Sequence, residues 1–356
     1  MDRSGLRKGP LPSPPVGGTG RTAAILSVDV GGTKTRALLA AVRRGRAVPL
    51  WEVETVLAGK AALGRFIREV LREDIPAKCA VAFAGPLRGR AEARMTNWTG
   101  NPVIRLGDLS AWGLPEKHTL MLNDLEAAAC GVLALDEGGL AWSSLRALHR
   151  PGGARTAGGG NRVVLAPGTG LGTASIVGGA PLASEIQHAD ASPLDDRHAA
   201  LIARFAREEG RAPSWEDFVS GRGLVLTYRA LRALDGFSAD GEALEGGPAD
   251  PAGAVARAAA RDPFAHEALD YYYGCAGRAA QLLALAVQPA GGIILCGSTT
   301  ARNALFIRKS RFLTELHANA AQGPLLRRFP VFLAEADLNL RGGLWACRHA
   351  EIFPRP

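Results

Sequence analysis

Two short segments of the sequence place glycine and threonine directly after an apolar run: DVGGTKT at residues 29–35 and GTGLG at residues 168–172. Turns with so little side-chain bulk can direct backbone N–H groups and a threonine hydroxyl at an anion. Either segment alone is best explained as a plain hairpin turn, and neither matches the GxxxxGK[ST] or GxGxxG pattern. Because the design occurs twice, we predict two loops that clamp a phosphate. The candidate contacts are Gly31, Gly32, Thr33, Gly168 and Thr169.

A carboxylate follows the apolar run 120–122, where Asn123-Asp124 stands between a predicted strand and a predicted helix. One explanation is structural, because Asp is a favoured N-cap. The other is chemical, because ligand sites of α/β proteins form at the carboxyl ends of parallel strands. An Asp held there can accept a proton from a substrate hydroxyl, and the helix N-terminus would lower its pKa and keep it ionised. Asp124 is therefore the candidate general base.

Three further polar side chains occur in two loop-like segments. Glu185 and His188 lie three residues apart in ASEIQHADASP, and Glu216 lies in SWEDFVSGRGL. Each one alone is typical of a solvated surface loop. Together with Asn123 and Asp124, they form a set of carboxylates, an amide and an imidazole. Such a set suits a polyhydroxylated ligand.

The elements that must position these side chains are those of an α/β chain. Five short apolar runs without alternation predict strands of a mainly parallel sheet that is covered by helices on both faces. Leu63, Phe66, Ile67, Val70 and Leu71 have the spacing of an amphipathic helix. The apolar runs are 80–84, 120–122, 163–166, 293–296 and 331–334, and the other predicted helices cover about 125–135, 197–207 and 263–287.

A weak internal repeat links the two Gly/Thr segments. VDVGGTKTRALLA near the start resembles LAPGTGLGTASIV from Leu165, since in each a strand enters the turn and a second apolar run leaves it. Unless this similarity is chance, it predicts two hairpins in two similar halves that face one another across a cleft. The Gly-rich segment 151–160 is predicted to be an exposed loop. Residues 1–22, which are basic and rich in Pro, Gly and Ser, are predicted to be a disordered tail.

Length and composition exclude several classes of protein. With 356 residues, 47% hydrophobic and 21% charged, the chain is expected to be globular and to hold two domains. No apolar run approaches the ~20 residues of a membrane span, and the N-terminus has no apolar signal core. Part of the net charge of +8 lies in the tail, and no basic block or RNA-binding aromatic motif points to nucleic acid. Five scattered cysteines without a CxxC pair favour a reducing cytoplasm over a zinc knuckle.

Six motifs in order resemble those of bacterial glucokinases of the zinc-free group, in the actin/sugar-kinase superfamily. The resemblance covers about residues 23–348, and its specificity comes from the set rather than from any one motif. It implies an α/β, two-domain actin-like sugar-kinase (ribonuclease-H-like) fold with an active-site cleft between a small domain, 23–134 plus 338–356, and a large domain, 135–337. The motifs are DVGGTKTR, AFAGPL…MTNW over 82–98, LNDLEAAA, GTGLGTA, the Glu185/His188 pair and VSGRGLVLTYRAL over 219–231.

The resemblance also implies a reaction, the ATP- and Mg²⁺-dependent phosphorylation of glucose at its 6-hydroxyl, carried out in the cytoplasm by a homodimer. It places the ATP phosphates between the two Gly/Thr loops and the adenosine near Gly297 and Ser298. It makes Asp29 the organiser of Mg²⁺, commonly through water, and Asp124 the general base. The implied sugar-binding residues are Thr96, Asn97, Asn123, Asp124, Glu185, His188 and Glu216.

Two departures from the family pattern leave alternatives open. Ile186 and Gln187 stand where the family has the glycines of GEGGH, and Gly297-Ser298 stands where it has a glycine pair. Bulkier side chains near the sugar keep open a kinase for another hexose, such as mannose, fructose or glucosamine, because small pocket changes shift specificity modestly. A non-catalytic sugar sensor on the same fold is the other alternative. The cysteine cluster of the zinc-containing branch is absent, so no structural zinc is expected.

Overall fold

The chain divides into two compact units. The computed structural model describes residues 7–8, 23–32, 34–57, 59–71, 76–96, 98–138, 142–153 and 159–354. Unit 1 comprises Met1–Trp142 and Asp337–Pro356, and unit 2 comprises Ser143–Ala336. Residues 135–138, just beyond the predicted boundary, are joined to the C-terminal segment that returns to unit 1. The Glu137 carboxylate explains this, because it accepts a hydrogen bond from Trp345 Nε1 at 2.9 Å in the returning C-terminal segment.

Unit 1 contains a six-stranded sheet in the order β1-β4-β3-β2-β5-β9 and a small sheet in the order β6-β7-β8. β2, β5 and β9 are parallel, whereas β3 and β4 are added as antiparallel strands of a meander. Apart from residues 7 and 8, which form β1 beside β4, the tail 1–22 lies outside the described residues. The strands are β1 Arg7–Lys8, β2 Ala24–Val30, β3 Thr35–Arg43, β4 Arg46–Thr55, β5 Lys78–Phe83, β6 Leu87–Arg88, β7 Glu92–Arg94, β8 Val103–Arg105 and β9 Thr119–Asn123.

Unit 2 contains a six-stranded sheet in the order β10-β15-β14-β11-β12-β13. β11, β14 and β15 are parallel, and β12 and β13 continue from β11 as an antiparallel meander. The five-strand order β13-β12-β11-β14-β15 repeats the order β4-β3-β2-β5-β9 of unit 1, with the same directions, which confirms the predicted pair of hairpins. The strands are β10 Leu145–His149, β11 Arg162–Pro167, β12 Leu171–Val177, β13 Ala180–Ser184, β14 Gly292–Leu295 and β15 Val331–Ala334.

Both large sheets are mixed, so the expectation of mainly parallel sheets is wrong. The five apolar runs all fall on parallel strands, namely β5, β9, β11, β14 and β15. Their continuous apolar character reflects burial on both faces. The antiparallel strands β3 and β12 are also largely buried and were predicted as the second runs of the two hairpins. The outer strands β4 and β13 escape a prediction from apolar runs because they are more exposed.

Helices cover these sheets, and four of them match the sequence-based predictions. Leu63, Phe66 and Ile67 are buried on α1, and the helix predicted over 263–287 has those bounds. In the described part of the chain, none of the helices has the length and apolar content that crossing a bilayer requires. The helices are α1 Lys60–Val70, α2 Leu106–Ala111, α3 Asp124–Asp136, α4 Asp196–Glu209, α5 Trp215–Phe218, α6 Gly221–Leu234, α7 Pro251–Ala258, α8 Pro263–Val287, α9 Ser298–Arg302, α10 Ala304–Ile307, α11 Phe312–His317, α12 Gly323–Leu326 and α13 Asn339–Arg348.

Two glycines allow α3 and α13 to pack unusually closely. A Cβ added at Gly342 would lie 1.8 Å from the carbonyl oxygen of Ala127, and one added at Gly131 would lie 2.3 Å from that of Leu338. Neither distance is possible for a real side chain, so only glycine permits this contact. Because α3 begins at Asp124, the packing of α13 fixes the helix that carries the candidate base.

Candidate active site

Asp29 lies at the end of the central strand of unit 1, just before the first Gly/Thr loop. Its carboxylate is buried, and it accepts hydrogen bonds from Arg36 Nη2 at 2.5 Å and from Asn339 Nδ2 at 3.2 Å. Arg36 stands directly opposite Asp29 in the β2–β3 register, and it also bonds the carboxylate of Asp337. Burial raises the pKa of Asp29 above its usual value, and the Arg36 guanidinium offsets this effect only in part.

The surroundings of Asp29 fit a hydrated Mg²⁺ ion. Mg²⁺ is usually held by one or two carboxylates, with waters and substrate phosphates completing its octahedral shell. Each Asp29 oxygen accepts one hydrogen bond from a described residue, and a carboxylate has about four acceptor positions, so capacity remains for metal-bound water. Among the residues that the structure describes, no group of three or more His, Cys, Asp or Glu forms a protein cage for a metal.

The first Gly/Thr loop is a tight turn between β2 and β3. The Gly31 N–H donates to the Lys34 carbonyl oxygen at 2.9 Å, and a Cβ at Gly31 would lie 2.8 Å from that same oxygen. Gly32 is partly exposed, as a backbone contact with a ligand requires. Thr33 lies outside the described residues.

Asn123 and Asp124 mark the point where β9 ends and α3 begins. Asn123 Oδ1 accepts the Leu125 N–H at 2.9 Å, so Asn123 is the N-cap. The N-cap role that the sequence suggested for Asp124 is therefore filled by Asn123. Asp124 is the first residue of the helix, and its Oδ1 also accepts the Leu125 N–H at 2.9 Å. Its carboxylate stands at the carboxyl end of a parallel strand and at the positive end of the α3 dipole.

Gly85 brings the segment of Thr96 next to Asn123. The Gly85 carbonyl oxygen accepts a hydrogen bond from Asn123 Nδ2 at 3.2 Å. A Cβ at Gly85 would lie 2.1 Å from the Arg94 carbonyl oxygen and 3.7 Å from the Thr96 nitrogen. Thr96 is exposed, whereas Asn97 lies outside the described residues. Thr96, Asn123 and Asp124 thus share one edge of unit 1.

The second Gly/Thr loop, in unit 2, is held by three hydrogen bonds, one within the loop and one each from α6 and α8. Gly168 N donates to the Gly170 carbonyl oxygen at 2.9 Å, and Gly221 N at the start of α6 donates to that of Thr169 at 3.1 Å. Tyr272 Oη on α8 donates to the Gly168 carbonyl oxygen at 3.2 Å. With these carbonyls engaged, the loop is held in one conformation while the Thr169 side chain stays exposed.

Gly297 and Ser298 lie beside this second loop. Gly297 has φ of 95° and is the N-cap of α9, and Ser298 is its first helical residue. The next residue, Thr299, places its Oγ1 3.9 Å from a Cβ built on Gly168. The positive φ explains why glycine is needed at the first position of this turn, whereas serine meets the ordinary helical geometry of the second.

Glu216 lies against the second loop. A Cβ at Gly170 would be 3.2 Å from Glu216 Oε1, and Glu216 Oε2 accepts the Leu171 N–H at 3.4 Å. Glu216 is on α5, whose start is fixed by a capping box between Ser214 and Asp217. Arg211 holds the Asp217 carboxylate with two hydrogen bonds of 2.7 Å.

Glu185 and His188 lie at a single turn of 3-10 helix that follows β13. His188 Nε2 is 3.4 Å from Glu185 Oε2, and both side chains are largely exposed. This segment runs beside the one that carries Glu216, because Trp215 N donates to the Ala189 carbonyl oxygen at 3.2 Å. The structure therefore brings the three predicted polar residues of unit 2 to one region.

Three contacts at the site were not predicted from the sequence. They are those of Arg36 with Asp29, of Tyr272 with the second loop, and of Gln187 with Glu185, the last being a 2.5 Å hydrogen bond. The first could have been found, because a hairpin closed by residues 31–34 pairs positions 29 and 36. The contact of Tyr272 depends on packing between distant segments, whereas that of Gln187 with Glu185 joins residues two apart and depends on the local conformation of the turn.

Comparisons with known proteins identify the family of the chain. A sequence model of the family described as Glucokinase matches residues 26–349. The glucokinase of Mesorhizobium japonicum is 33% identical over 285 residues, which are 78% of this chain and 77% of that protein. The glucokinase of Chelativorans sp. is 32% identical over 329 residues, which are 90% of each chain.

A solved structure extends the similarity to the fold. The crystal structure of a glucokinase from Balamuthia mandrillaris in complex with glucose superposes with a TM-score of 0.77 at 25% identity, covering 92% of this chain and 94% of that one. The α/β two-domain sugar-kinase fold expected from the sequence is confirmed. The chain belongs to the bacterial glucokinase family of the actin-like sugar-kinase superfamily, enzymes that phosphorylate glucose at the entry to glycolysis.

Proposed function

We propose that this chain transfers the γ-phosphoryl group of ATP to the 6-hydroxyl of glucose, with Asp124 as the general base. Membership of the family implies the use of ATP. The observation that carries the role of Asp124 is its position as the first residue of α3, where Asn123 serves as the cap. A carboxylate at the positive end of a helix stays ionised near neutral pH, as a base must.

The proposed step moves one proton and one phosphoryl group. Asp124 accepts the proton of the 6-hydroxyl while a bond forms between the hydroxyl oxygen and the γ-phosphorus. The bond between that phosphorus and the oxygen bridging to the β-phosphorus breaks, so ADP leaves with the electron pair. Such transfers depend mainly on positioning and on charge stabilisation. A positioned base contributes roughly 10²–10⁴ in rate.

Residues from both units are proposed to hold the sugar. In unit 1, the exposed Thr96 and the pair Asn123 and Asp124 lie at one edge, which supports their assignment together. Asn97 is proposed on the resemblance alone. In unit 2, Glu185, His188 and Glu216 offer two carboxylates and an imidazole on adjacent segments.

The two glycine loops are proposed to hold the phosphates and the nucleotide. Backbone N–H groups of Gly32 and Thr169, with the hydroxyls of Thr33 and Thr169, would face phosphate oxygens. Gly31 and Gly168, whose own N–H groups close the two turns, would let the backbone approach the phosphates closely. Gly297 and Ser298 would lie against the adenosine. Asp29 would hold Mg²⁺ through water, and the ion would neutralise phosphate charge when bound. Arg36 and Asn339 orient the Asp29 carboxylate for this purpose.

The remaining proposals concern the setting of the reaction. ATP as donor favours the cytoplasm, and neither a membrane nor a nucleic acid is proposed as a partner. A homodimer is proposed from the family resemblance. Light scattering coupled to size-exclusion chromatography decides the oligomeric state directly, since a single species at the mass of one chain contradicts the dimer.

One assay tests the proposed function. The purified full-length chain is incubated with ATP and Mg²⁺ and a panel of glucose, mannose, fructose and glucosamine, and ADP formation is measured. We expect turnover with glucose to have the highest kcat/KM. A higher kcat/KM for another hexose would show that this hexose, and not glucose, is the preferred substrate. If calorimetry detects glucose binding but no ADP forms, the protein is a sugar sensor and not a kinase.

A further inference from the structure

Gln187 connects the turn that carries Glu185 to a buried strand of unit 2. Gln187 Nε2 donates to Glu185 Oε2 at 2.5 Å, and Gln187 Oε1 accepts from Thr173 Oγ1 at 2.8 Å. Thr173 and Gln187 are both buried, whereas the Glu185 side chain is 67% exposed. An otherwise mobile carboxylate is thus tied to β12, the strand that leaves the second Gly/Thr loop.

Hydrogen-bond chemistry fixes the direction of this chain of contacts. An ionised carboxylate can only accept, so Gln187 must turn its amide NH₂ toward Glu185. Its carbonyl oxygen then faces the Thr173 hydroxyl, which can donate its single proton. The Thr173 hydroxyl also lies 3.2 Å from the Ser184 carbonyl oxygen, so it could accept from a reversed amide. Reversal would, however, set the amide oxygen against the Glu185 carboxylate, and this contact decides the orientation.

The same contacts leave part of the Glu185 carboxylate available to a ligand. Gln187 and His188 both approach Oε2, and of the described residues none is hydrogen-bonded to Oε1. An exposed Glu side chain normally samples several rotamers, and holding it in one removes that entropy before the ligand binds. Because Oε2 is held, Oε1 stays in one place and can accept a hydrogen bond from a single hydroxyl of a bound sugar.

We propose that Gln187 is a positioning residue that sets hexose specificity by fixing the Glu185 carboxylate for one sugar hydroxyl. This rests on the proposed role of Glu185 in sugar binding. Gln187 itself need not touch the sugar, since it acts through Glu185 and is anchored by Thr173. Where the family pattern has glycine at this position, no side-chain amide can make this contact.

Substitution of Gln187 tests the proposal through the split between KM and kcat. Gln187→Gly is expected to raise the KM for glucose about tenfold, as loss of a hydrogen bond to a charged group predicts, while kcat changes less than about threefold. The preference for glucose over mannose, fructose and glucosamine should narrow by a similar factor. Thr173→Val, which keeps the side-chain volume, is expected to show the same pattern more weakly.

A charge variant provides a second, independent readout. Gln187→Glu places two carboxylates in contact, so at least one of them takes up a proton more readily. The KM for glucose should then be high at pH 8 and fall toward pH 5.5, where a shared proton restores the hydrogen bond. The wild-type KM should vary much less over this range.

Matched controls separate this role from a loss of folding. Thr119→Val removes another buried strand hydroxyl, bonded to the Pro115 carbonyl oxygen at 2.8 Å, and should leave the KM and the hexose preference unchanged. Thermal unfolding of each variant identifies those that fail to fold, and Thr173→Val then carries the test. Unchanged glucose KM, hexose preference and pH profile in folded variants would overturn the proposal and leave the glucokinase reaction standing. If the wild type forms no ADP with any hexose, the proposed function fails, and calorimetric glucose affinity of the same variants decides the role of Gln187.

Discussion

Arg36 joins Asp29 to Asp337 although the two carboxylates are separated by 308 positions in the numbering. The guanidinium lies across the β2–β3 hairpin from Asp29 and reaches the residue at which the chain re-enters unit 1. The proposed metal-organising carboxylate is thereby fixed both by its own hairpin and by the C-terminal segment.

Removal of this guanidinium should cost considerable stability. Arg36→Met leaves the buried Asp29 carboxylate without its cation, so we expect the free energy of unfolding to fall by about 3 kcal/mol. Lys34→Met in the same hairpin is the control, because its ion pair with Glu54 is exposed on both sides and should contribute less than about 1 kcal/mol. Unfolding in guanidinium chloride at pH 7.5 measures the free energy of unfolding of both variants. Equal losses of stability in the two would contradict the role assigned to Arg36.

Asp124→Asn should separate chemistry from binding. We expect kcat to fall by roughly 10²–10⁴, because the amide cannot accept the proton of the sugar hydroxyl. Glucose affinity by calorimetry should change much less, and the fold should persist because Asn123 remains the cap of α3. An ADP-coupled assay provides kcat. Turnover within threefold of wild type would remove Asp124 from the role of base.

The contact between α3 and α13 should not tolerate even a methyl group. Gly342→Ala forces a Cβ into the Ala127 carbonyl oxygen, and we expect a loss of about 2–3 kcal/mol in the free energy of unfolding. Gly107→Ala is the matched control, since this glycine of α2 has no heavy atom within 4 Å of an added Cβ. That control should be neutral or stabilising by up to about 1 kcal/mol. Similar effects of the two substitutions would show that the helices can separate freely.

His198 should make the protein less stable in mild acid. Its ring is buried, Nδ1 accepts the Leu194 N–H at 3.2 Å, and Nε2 lies 3.4 Å from Cys275 Sγ. Burial lowers the pKa of His198 to about 4. Above pH 6.5 the imidazole is neutral in the folded and unfolded states alike, so His198 does not make the free energy of unfolding depend on pH. Between pH 6.5 and 4 only the unfolded chain binds the proton, so the folded state loses about 3 kcal/mol over this window.

The variant His198→Asn tests this titration, because its side-chain oxygen can still accept the Leu194 N–H. Between pH 6.5 and 4.5, the free energy of unfolding should fall less in the variant than in the wild type. The difference between the two losses should be about 2–3 kcal/mol. Urea unfolding across this range provides the comparison. Parallel curves for the two proteins would show that His198 does not stay neutral in the fold.

Local patterns predicted the parts of this molecule that local forces determine. The glycine turns, the buried parallel strands and the bounds of α8 follow from side-chain bulk, apolar runs and periodicity. The position of Asp124 follows from the order of strand and helix. The contacts of Asp29 with Asn339 and of Gln187 with Thr173 depend on strand register and on helix packing. Residues brought together by such packing leave no spacing signal in the sequence.

The return of the chain to unit 1 also sets the order in which the protein can be completed during synthesis. Residues 337–356 leave the ribosome after all of unit 2, and domains tend to fold as their residues emerge. Until residues 337–356 have been made, the N-terminal part of unit 1 therefore has an Asp29 carboxylate without Asn339 and an α3 that is not covered by α13. A stop codon at position 337 would remove α13 from the unit that carries Asp124 while leaving every residue of unit 2 in the product.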